Sequence, residues 1–173
     1  MTLDILCAER FDAAIVALFG RITFAETFGH MFQGHRNDLR TYLDKTFDTG
    51  KVRCSLGKPE NTYWLAYQNK LPVGYAKPKS PSAPPGGPGC EAAQLQKIYV
   101  LREFLSDGIG RALVAPLLEA ASRLSPLIWP DVLCQNERAV GFYTTFGFAT
   151  IRDNTYTIGV QRFHFRLTAR PLP

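Results

Sequence analysis

The chain has 173 residues, of which 46% are apolar and 20% are charged, with a formal net charge of +5. This composition is typical of a folded soluble protein, and the length fits one domain over residues 1–173. A membrane-spanning protein is excluded because no apolar run approaches about 20 residues, and a nucleic-acid-binding protein is disfavoured because lysine and arginine form no consecutive block.

The first third of the chain predicts a strand and two helices. Residues 2–8 alternate as in a strand, and the early acids of MTLDILCAERFD differ from the basic start of a signal peptide. Apolar residues then recur at helical spacing from Phe11 to Phe28, with Gly20 and Gly29 as expected breaks. A second helix is predicted over 38–47, whereas residues 48–61 give no clear pattern.

The middle of the chain predicts a hairpin, a loop and a strand. Residues 62–68 and 72–77 are short strands separated by a turn, which favours antiparallel pairing. The segment 78–90 contains five prolines and three glycines, so we expect a loop. Residues 94–100 alternate as a strand. A helix with Leu113, Leu117 and Leu124 on its buried stripe follows, and Pro116 conflicts locally with that helix.

The last part of the chain predicts a strand over 126–134 and a helix from Glu137 to Phe146. Asn136 suits the N-cap of that helix, and Gly147 suits its left-handed C-terminal cap. Two further strands with a turn near Gly159 end the chain. The order of elements predicts an α/β (α+β) fold, in which helices flank both faces of a central mixed, mostly antiparallel sheet.

Two glycines at the start of the helix after residue 100 form a candidate phosphate site. Gly108 and Gly110 have no β-carbon, so a ligand can approach the backbone closely. The first amides of a helix lack internal partners and lie at the positive end of its dipole, which suits phosphate. A tight turn with no ligand is the alternative, because the segment matches neither the Walker A loop nor the complete GxGxxG pattern.

The segment from Asn136 to Phe148 is the second informative block. It reads as a capped amphipathic helix with Tyr143 among its aromatic residues, and a purely structural role explains that pattern. A tyrosine hydroxyl in a cleft can also act as a proton donor. Residues alone leave both interpretations open.

Taken together, the two blocks resemble the GNAT acetyltransferases. The patterns are LxxxYVxxxxxxxGIGxALxxxxxxxA, beginning at Leu95, and NxxAxxFYxxxGF, beginning at Asn136. Their order and separation match the family, and the resemblance is clearest over residues 94–148. The family implies the GNAT fold and an N-acetyltransferase that uses acetyl-CoA as the donor.

The resemblance also implies roles for individual residues. Backbone groups of Ile98, Tyr99 and Val100 would pair with the pantetheine arm of acetyl-CoA, and Asn136 would contact that arm near its reactive end. Tyr143 would give a proton to the departing thiolate. The pyrophosphate would be held by amides of one loop and the first helical turn: Leu105, Ser106, Asp107, Gly108, Ile109, Gly110 and Arg111.

The chain departs from the family pattern at two places. Leu105 occupies a position where the family usually has Gln or Arg, which removes one polar contact near the pyrophosphate. Gln94 and Gln96 stand where related enzymes often place a glutamate base. Glu26 is therefore the candidate for the catalytic base. The alternative is that Glu26 is a solvated acid on the surface of a helix.

A narrower resemblance is to bacterial polyamine (spermidine) N-acetyltransferases, over FAETF at 24–28, GYAK at 74–77, KIYV at 97–100 and Trp129. Cys134 and Asn154 replace an acid and a histidine of that pattern. A site for polyamines should be acidic, whereas this chain is basic. The expected substrate is therefore an amine of a small molecule or a peptide, and its identity stays open. The resemblance is also compatible with a homodimer.

Other function classes stay open at this point. The same features are compatible with a GNAT-fold module that binds CoA as a sensor with weak catalysis, or with an unrelated nucleotide-binding α/β protein. No metal is expected, because the four cysteines form no CxxC pair and only three histidines are present. The thiols are expected to be reduced in a cytoplasmic protein, with Cys7 and Cys134 in the core.

Overall fold

The computed structural model describes residues 2–86 and 91–173. The first half of the chain contains β1 (Leu3–Cys7), α1 (Ala13–Phe28), α2 (Arg36–Thr46), α3 (Thr49–Leu56), β2 (Trp64–Gln68) and β3 (Leu71–Lys79). The second half contains β4 (Ala93–Val100), α4 (Ile109–Ser122), β5 (Leu127–Trp129), β6 (Asp131–Leu133), α5 (Glu137–Thr145), β7 (Ala149–Ile158) and β8 (Gln161–Pro171).

These strands form one mixed sheet in the order β1-β2-β3-β4-β5-β8-β6, with β7 paired to β8. The pair of β4 and β5 is parallel, and the other strand pairs are antiparallel. Ala66 and Val73 pack with α4 on one face, while Leu65 and Tyr75 pack with α1 on the other. The predicted fold class, with helices on both faces of a mostly antiparallel sheet, is confirmed.

The sheet opens between β4 and β6. The parallel pairing of β4 with β5 covers only Ala93 and Gln94, opposite Ile128 and Trp129. The strand predicted over 126–134 is in fact divided at Pro130, which has no N–H to donate to a ladder. Its second piece, β6, pairs with β8 instead of β4. Among the described residues, the remainder of β4 therefore has no partner strand on the edge that faces β6.

A β-bulge changes the direction of side chains along β4. Lys97 lies opposite Lys77 of β3, but Leu95 lies opposite Pro78, so Gln96 is an extra residue in the ladder. A bulge of this kind reverses the alternation of faces beyond it. Lys97 consequently shares the α1 face with Tyr99, contrary to the unbroken alternation predicted for residues 94–100.

Several local predictions are wrong. Residues 49–56 form α3, whose N-cap Asp48 accepts a hydrogen bond from the Lys51 amide at 2.7 Å. Helix α4 continues through Pro116 and ends at Ser122, leaving Leu124 67% exposed. Cys7 is exposed rather than in the core. Among the described residues, no helix has the length and apolar character to cross a membrane.

Of the segment 78–90, the part up to Lys79 extends β3, and residues 87–90 lie outside the described residues. The segment from Ser80 to Gly86 is tied to the sheet through Ser82. The Ser82 amide donates to the Ala92 carbonyl at 2.6 Å, and the Trp129 indole N–H donates to the Ser82 carbonyl at 2.6 Å.

Helix α1 passes through Gly20 without a break, and packing explains the glycine. A β-carbon at Gly20 would lie 2.2 Å from Cδ1 of Phe47, whose ring is buried. The expected break is therefore wrong, and Gly20 instead provides room for α2 to approach α1.

We expect Gly20→Ala to lower the free energy of unfolding by roughly 1 kcal/mol, because overpacking costs about 1–3 kcal/mol and the gain in helix propensity offsets about 1 kcal/mol of it. Gly141→Ala is the matched control, since Gly141 lies inside α5 with open space around its Cα. It should stabilise the protein slightly. Urea denaturation measures both values, and equal effects at the two sites would contradict the packing argument.

Candidate functional site

The opening between β4 and β6 is a cleft of about 1100 Å³. It brings together residues from both halves of the chain. With the exception of Asp107, every residue predicted for the site lines it: Glu26, Ile98, Tyr99, Val100, Leu105, Ser106, Gly108, Ile109, Gly110, Arg111, Asn136 and Tyr143. Asp107 lies near β2 instead, where its Oδ2 accepts a hydrogen bond from the Gln68 side-chain nitrogen at 3.4 Å.

The turn that begins α4 exposes backbone amides to this cleft. Gly108 is the N-cap of α4 with φ of +79°, a conformation that glycine adopts without strain. No side chain in the described part of the chain caps the helix. Among the described residues, the amides from Gly108 to Arg111 have no hydrogen-bond partner. Such amides can bind a phosphate group.

Helix α5 packs closely against this turn. A β-carbon at Gly110 would lie 3.3 Å from Cε2 of Phe142, so glycine allows the two helices to approach. Arg138, which was not predicted from the sequence, lines the cleft and donates to the Ser106 hydroxyl at 3.0 Å. Together with Arg111 it places positive charge beside the free amides, as an anionic ligand would require.

Asn136 is the N-cap of α5, as predicted. Its side-chain oxygen accepts a hydrogen bond from the Ala139 amide at 3.0 Å. Its amide nitrogen has no hydrogen-bond partner among residues 2–86 and 91–173. The nitrogen is therefore available as a donor in the cleft.

Tyr143 is 6% exposed and projects from α5 into the same cleft. Phe142 and Phe148 hold its ring edge-on, with centroid distances of 5.4 Å in both cases. Burial raises the pKa of its hydroxyl well above the usual range, so the phenol keeps its proton at neutral pH. Within the described part of the chain the hydroxyl has no hydrogen-bond partner. It is a proton donor without a partner.

Glu26 reaches the cleft from the end of α1. One carboxylate oxygen accepts a hydrogen bond from the Arg102 amide at 3.3 Å, and the Arg102 guanidinium donates to the Glu26 carbonyl at 3.2 Å. The side chain is half-buried. These contacts place the carboxylate at the C-terminal end of β4.

Two lysines of the cleft were not anticipated from the sequence. Lys77 and Lys97 are opposite each other on β3 and β4, and both line the cleft. Desolvation and neighbouring lysines lower the pKa of each ammonium to about 8. The pair depends on strand register and on the bulge at Gln96, neither of which the sequence displays.

Comparison with known proteins agrees with this geometry. Residues 33–169 match the family model of the acetyltransferase (GNAT) domain. The fold is similar to the PaiA N-acetyltransferase of Thermoplasma acidophilum in complex with coenzyme A, with a TM-score of 0.78 and 15% identity over 99% of both chains.

Two further crystal structures share the fold. NAA60 of Arabidopsis thaliana in complex with a bisubstrate analogue has a TM-score of 0.73 and 14% identity, over 99% of this chain and 100% of that one. The spermidine/spermine N-acetyltransferase SpeG of Vibrio cholerae has a TM-score of 0.68 and 13% identity, over 98% of this chain and 95% of the SpeG chain. With the family model covering most of its length, this chain belongs to the GNAT acetyltransferase family.

Proposed function

We propose that the protein transfers the acetyl group of acetyl-CoA to a primary amine of a small molecule or peptide. The proposal rests mainly on the amides from Gly108 to Arg111, which pair with no described residue and open into the same cleft as the edge of β4 that faces β6. This arrangement fits a long ligand with a diphosphate at one end and an amide-containing arm. The similar PaiA and NAA60 structures contain coenzyme A and a bisubstrate analogue, which supports the assignment.

Each part of the cleft has a proposed role. The backbone of Ile98, Tyr99 and Val100 would bind the pantetheine arm as an added strand, since no described strand pairs with this edge of β4. The amides from Ser106 to Arg111 would bind the diphosphate. The Leu105 amide, also predicted for this role, donates to the Arg102 carbonyl at 3.1 Å and is not available for it. The amide nitrogen of Asn136 would donate to the arm near the thioester. Asp107 would contribute its backbone alone, because its side chain lies toward Gln68.

When bound, acetyl-CoA supplies a thioester whose acetyl carbon is open to attack by an amine. A backbone N–H near the end of β4 would donate to the acetyl oxygen, and the Tyr143 hydroxyl would give its proton to the sulfur as the C–S bond breaks. Holding the amine and the thioester side by side supplies much of the remaining acceleration. We place this reaction in the cytoplasm, consistent with the free thiols of Cys7, Cys54 and Cys134.

Calorimetry and a turnover assay test the proposal. We expect acetyl-CoA to bind with a stoichiometry of one and to be consumed with CoA release when a panel of primary amines is supplied. ATP or NAD should not bind. Binding of ATP or NAD in place of acetyl-CoA would instead indicate an unrelated nucleotide-binding protein.

A sensor module that binds CoA without turnover is the second candidate function. It is favoured by Gln94 and Gln96, which put no carboxylate on β4. That candidate predicts tight acetyl-CoA binding, no CoA release with any amine, and no effect of removing the Tyr143 hydroxyl. Measured turnover would eliminate it.

We propose Glu26 as the group that removes the proton from the ammonium substrate, directly or through water. Glu26→Gln keeps an oxygen for the Arg102 amide but cannot act as a base, so kcat/KM at about pH 7 should fall tenfold or more. The defect should shrink as the pH approaches about 10, where more of a typical amine is already neutral. A pH profile of kcat/KM measures this. Identical pH profiles for the wild type and Glu26→Gln would show that Glu26 is a solvated acid and not the base.

A further inference from the structure

Lys77 and Lys97 form an unusual pair in the half of the cleft next to α1. They face each other across neighbouring strands, where opposed Cβ atoms are about 5 Å apart. Like charges in this position repel each other. Lys77 is only 8% exposed, so water screens the repulsion poorly.

Aromatic rings lie close to both ammonium groups. Nζ of Lys97 lies 4.8 Å from the Phe47 ring centroid and 5.7 Å from that of Tyr99, and Nζ of Lys77 lies 5.2 Å from that of Tyr63. Each cation–π contact stabilises an ammonium group by less than the burial of its charge costs. Among the described residues neither ammonium has a hydrogen bond or an ion pair.

The carboxylates of the cleft are bound elsewhere. Glu26 accepts from the Arg102 amide, and Asp131 accepts from the Tyr156 hydroxyl. A third lysine, Lys51, also lines this half of the cleft. The region is therefore positively charged, whereas a site for a polycationic amine would need the opposite sign.

The lysine pair is also near the position where an amine would react. Lys97 precedes Val100 by three residues, which is about 10 Å along a strand. A lysine side chain together with a compact substrate spans this distance. A substrate whose acidic group was bound between the two ammonium groups would have its amine directed toward the end of β4.

On the basis of the proposed acetyltransferase function, we infer that Lys77 and Lys97 bind an anionic group of the amine substrate, a carboxylate or a phosphate. The substrate class is thus an amine that carries an acid, such as an amino acid or a phosphorylated amine, and not a polyamine. Glu60 interacts favourably with the Lys77 ammonium but forms no ion pair with it. Such an anion would therefore give the lysine pair the close counter-charge that the described residues do not provide.

The test compares matched substrates and matched variants. Amino acids, aminoalkyl phosphates, amino-acid amides and spermidine are assayed for kcat/KM, and acetyl-CoA binding is measured separately by calorimetry. We expect the wild type to prefer one or more acids at least tenfold over the neutral amide of the same skeleton and over spermidine. Lys77→Met and Lys97→Met should abolish the preference mainly through KM. Lys79→Met is the control, because it removes an equal charge outside the cleft and should keep the preference.

Lys97→Arg separates binding of an anion from proton transfer. Arginine keeps the charge but cannot act as a base at neutral pH, so the preference should survive. If Lys97 were instead the base, both Lys97→Met and Lys97→Arg would slow acids and amides equally. That result, or equal turnover of acids, amides and spermidine by the wild type, overturns the inference.

A binding measurement makes the inference independent of turnover. N-acetylated amino acids, N-acetylated aminoalkyl phosphates and their neutral analogues are titrated into the CoA complex. An N-acetylated acid should bind at least tenfold more tightly than its neutral analogue, and Lys97→Met should remove the difference. Equal affinities, or no binding by any member of the panel, overturn the inference. Loss of acetyl-CoA binding itself would instead contradict the proposed function.

Discussion

Tyr143→Phe should lower kcat by roughly a hundredfold while leaving the Kd for acetyl-CoA unchanged. General acids contribute about 10²- to 10⁴-fold, and the lower end applies because a thiol of pKa about 8.5 is a fair leaving group without help. Single-turnover kinetics and calorimetry measure the two constants. A lower kcat at constant Kd identifies an interaction made in the transition state.

The surroundings of Tyr143 allow this substitution to remove the hydroxyl without disturbing the packing. Phenylalanine fills the same space between Phe142 and Phe148, and the lost hydroxyl has no hydrogen-bond partner among the described residues. The melting temperature should therefore stay the same or rise slightly. Tyr67→Phe, which changes a tyrosine of β2 that does not line the cleft, should leave kcat unaffected. An unchanged kcat for Tyr143→Phe would show that Tyr143 is a core residue and not the proton donor.

The parts of the site that the sequence predicted are local in the chain. Gly108 with the helix that follows, and Asn136 with α5, form from residues within a few positions of each other. Their conformations are set by the backbone freedom of glycine and by side-chain capping, both of which can be read from a short segment. The resemblance to GNAT enzymes then joined two blocks that local patterns could not connect.

The parts that the sequence did not predict depend on pairing between distant segments. Lys77 and Lys97 meet through the β3–β4 register, and the bulge at Gln96 turns Lys97 toward α1. Hydrophobic alternation gives strand faces but not the position of a bulge. The break predicted at Gly20 is wrong for a similar reason, because its neighbour Phe47 lies 27 positions later in the chain.

Gly108→Asp should weaken acetyl-CoA binding by about 10- to 100-fold relative to Gly108→Asn. A carboxylate at this position would place a negative charge near the diphosphate, and a cost of about 1–3 kcal/mol follows for a partly screened charge about 5 Å away. Asn and Asp have the same shape, both tolerate positive φ, and a β-carbon here meets open space. Both variants therefore carry the same backbone strain and the same competition of a side-chain oxygen for the amides. The difference between their affinities for acetyl-CoA measures the effect of the negative charge alone.

The same pair of variants separates ligand binding from folding, because the two effects have opposite signs. An acid at the N-terminus of α4 interacts favourably with the helix dipole, which should stabilise Gly108→Asp over Gly108→Asn by about 0.3–1 kcal/mol. A variant that melts at a higher temperature and yet binds acetyl-CoA less tightly cannot owe its weaker binding to unfolding. The difference in affinity should also decrease as salt is raised, since exposed charges are screened. Equal affinities of the two variants at low salt would show that the diphosphate does not bind at this turn.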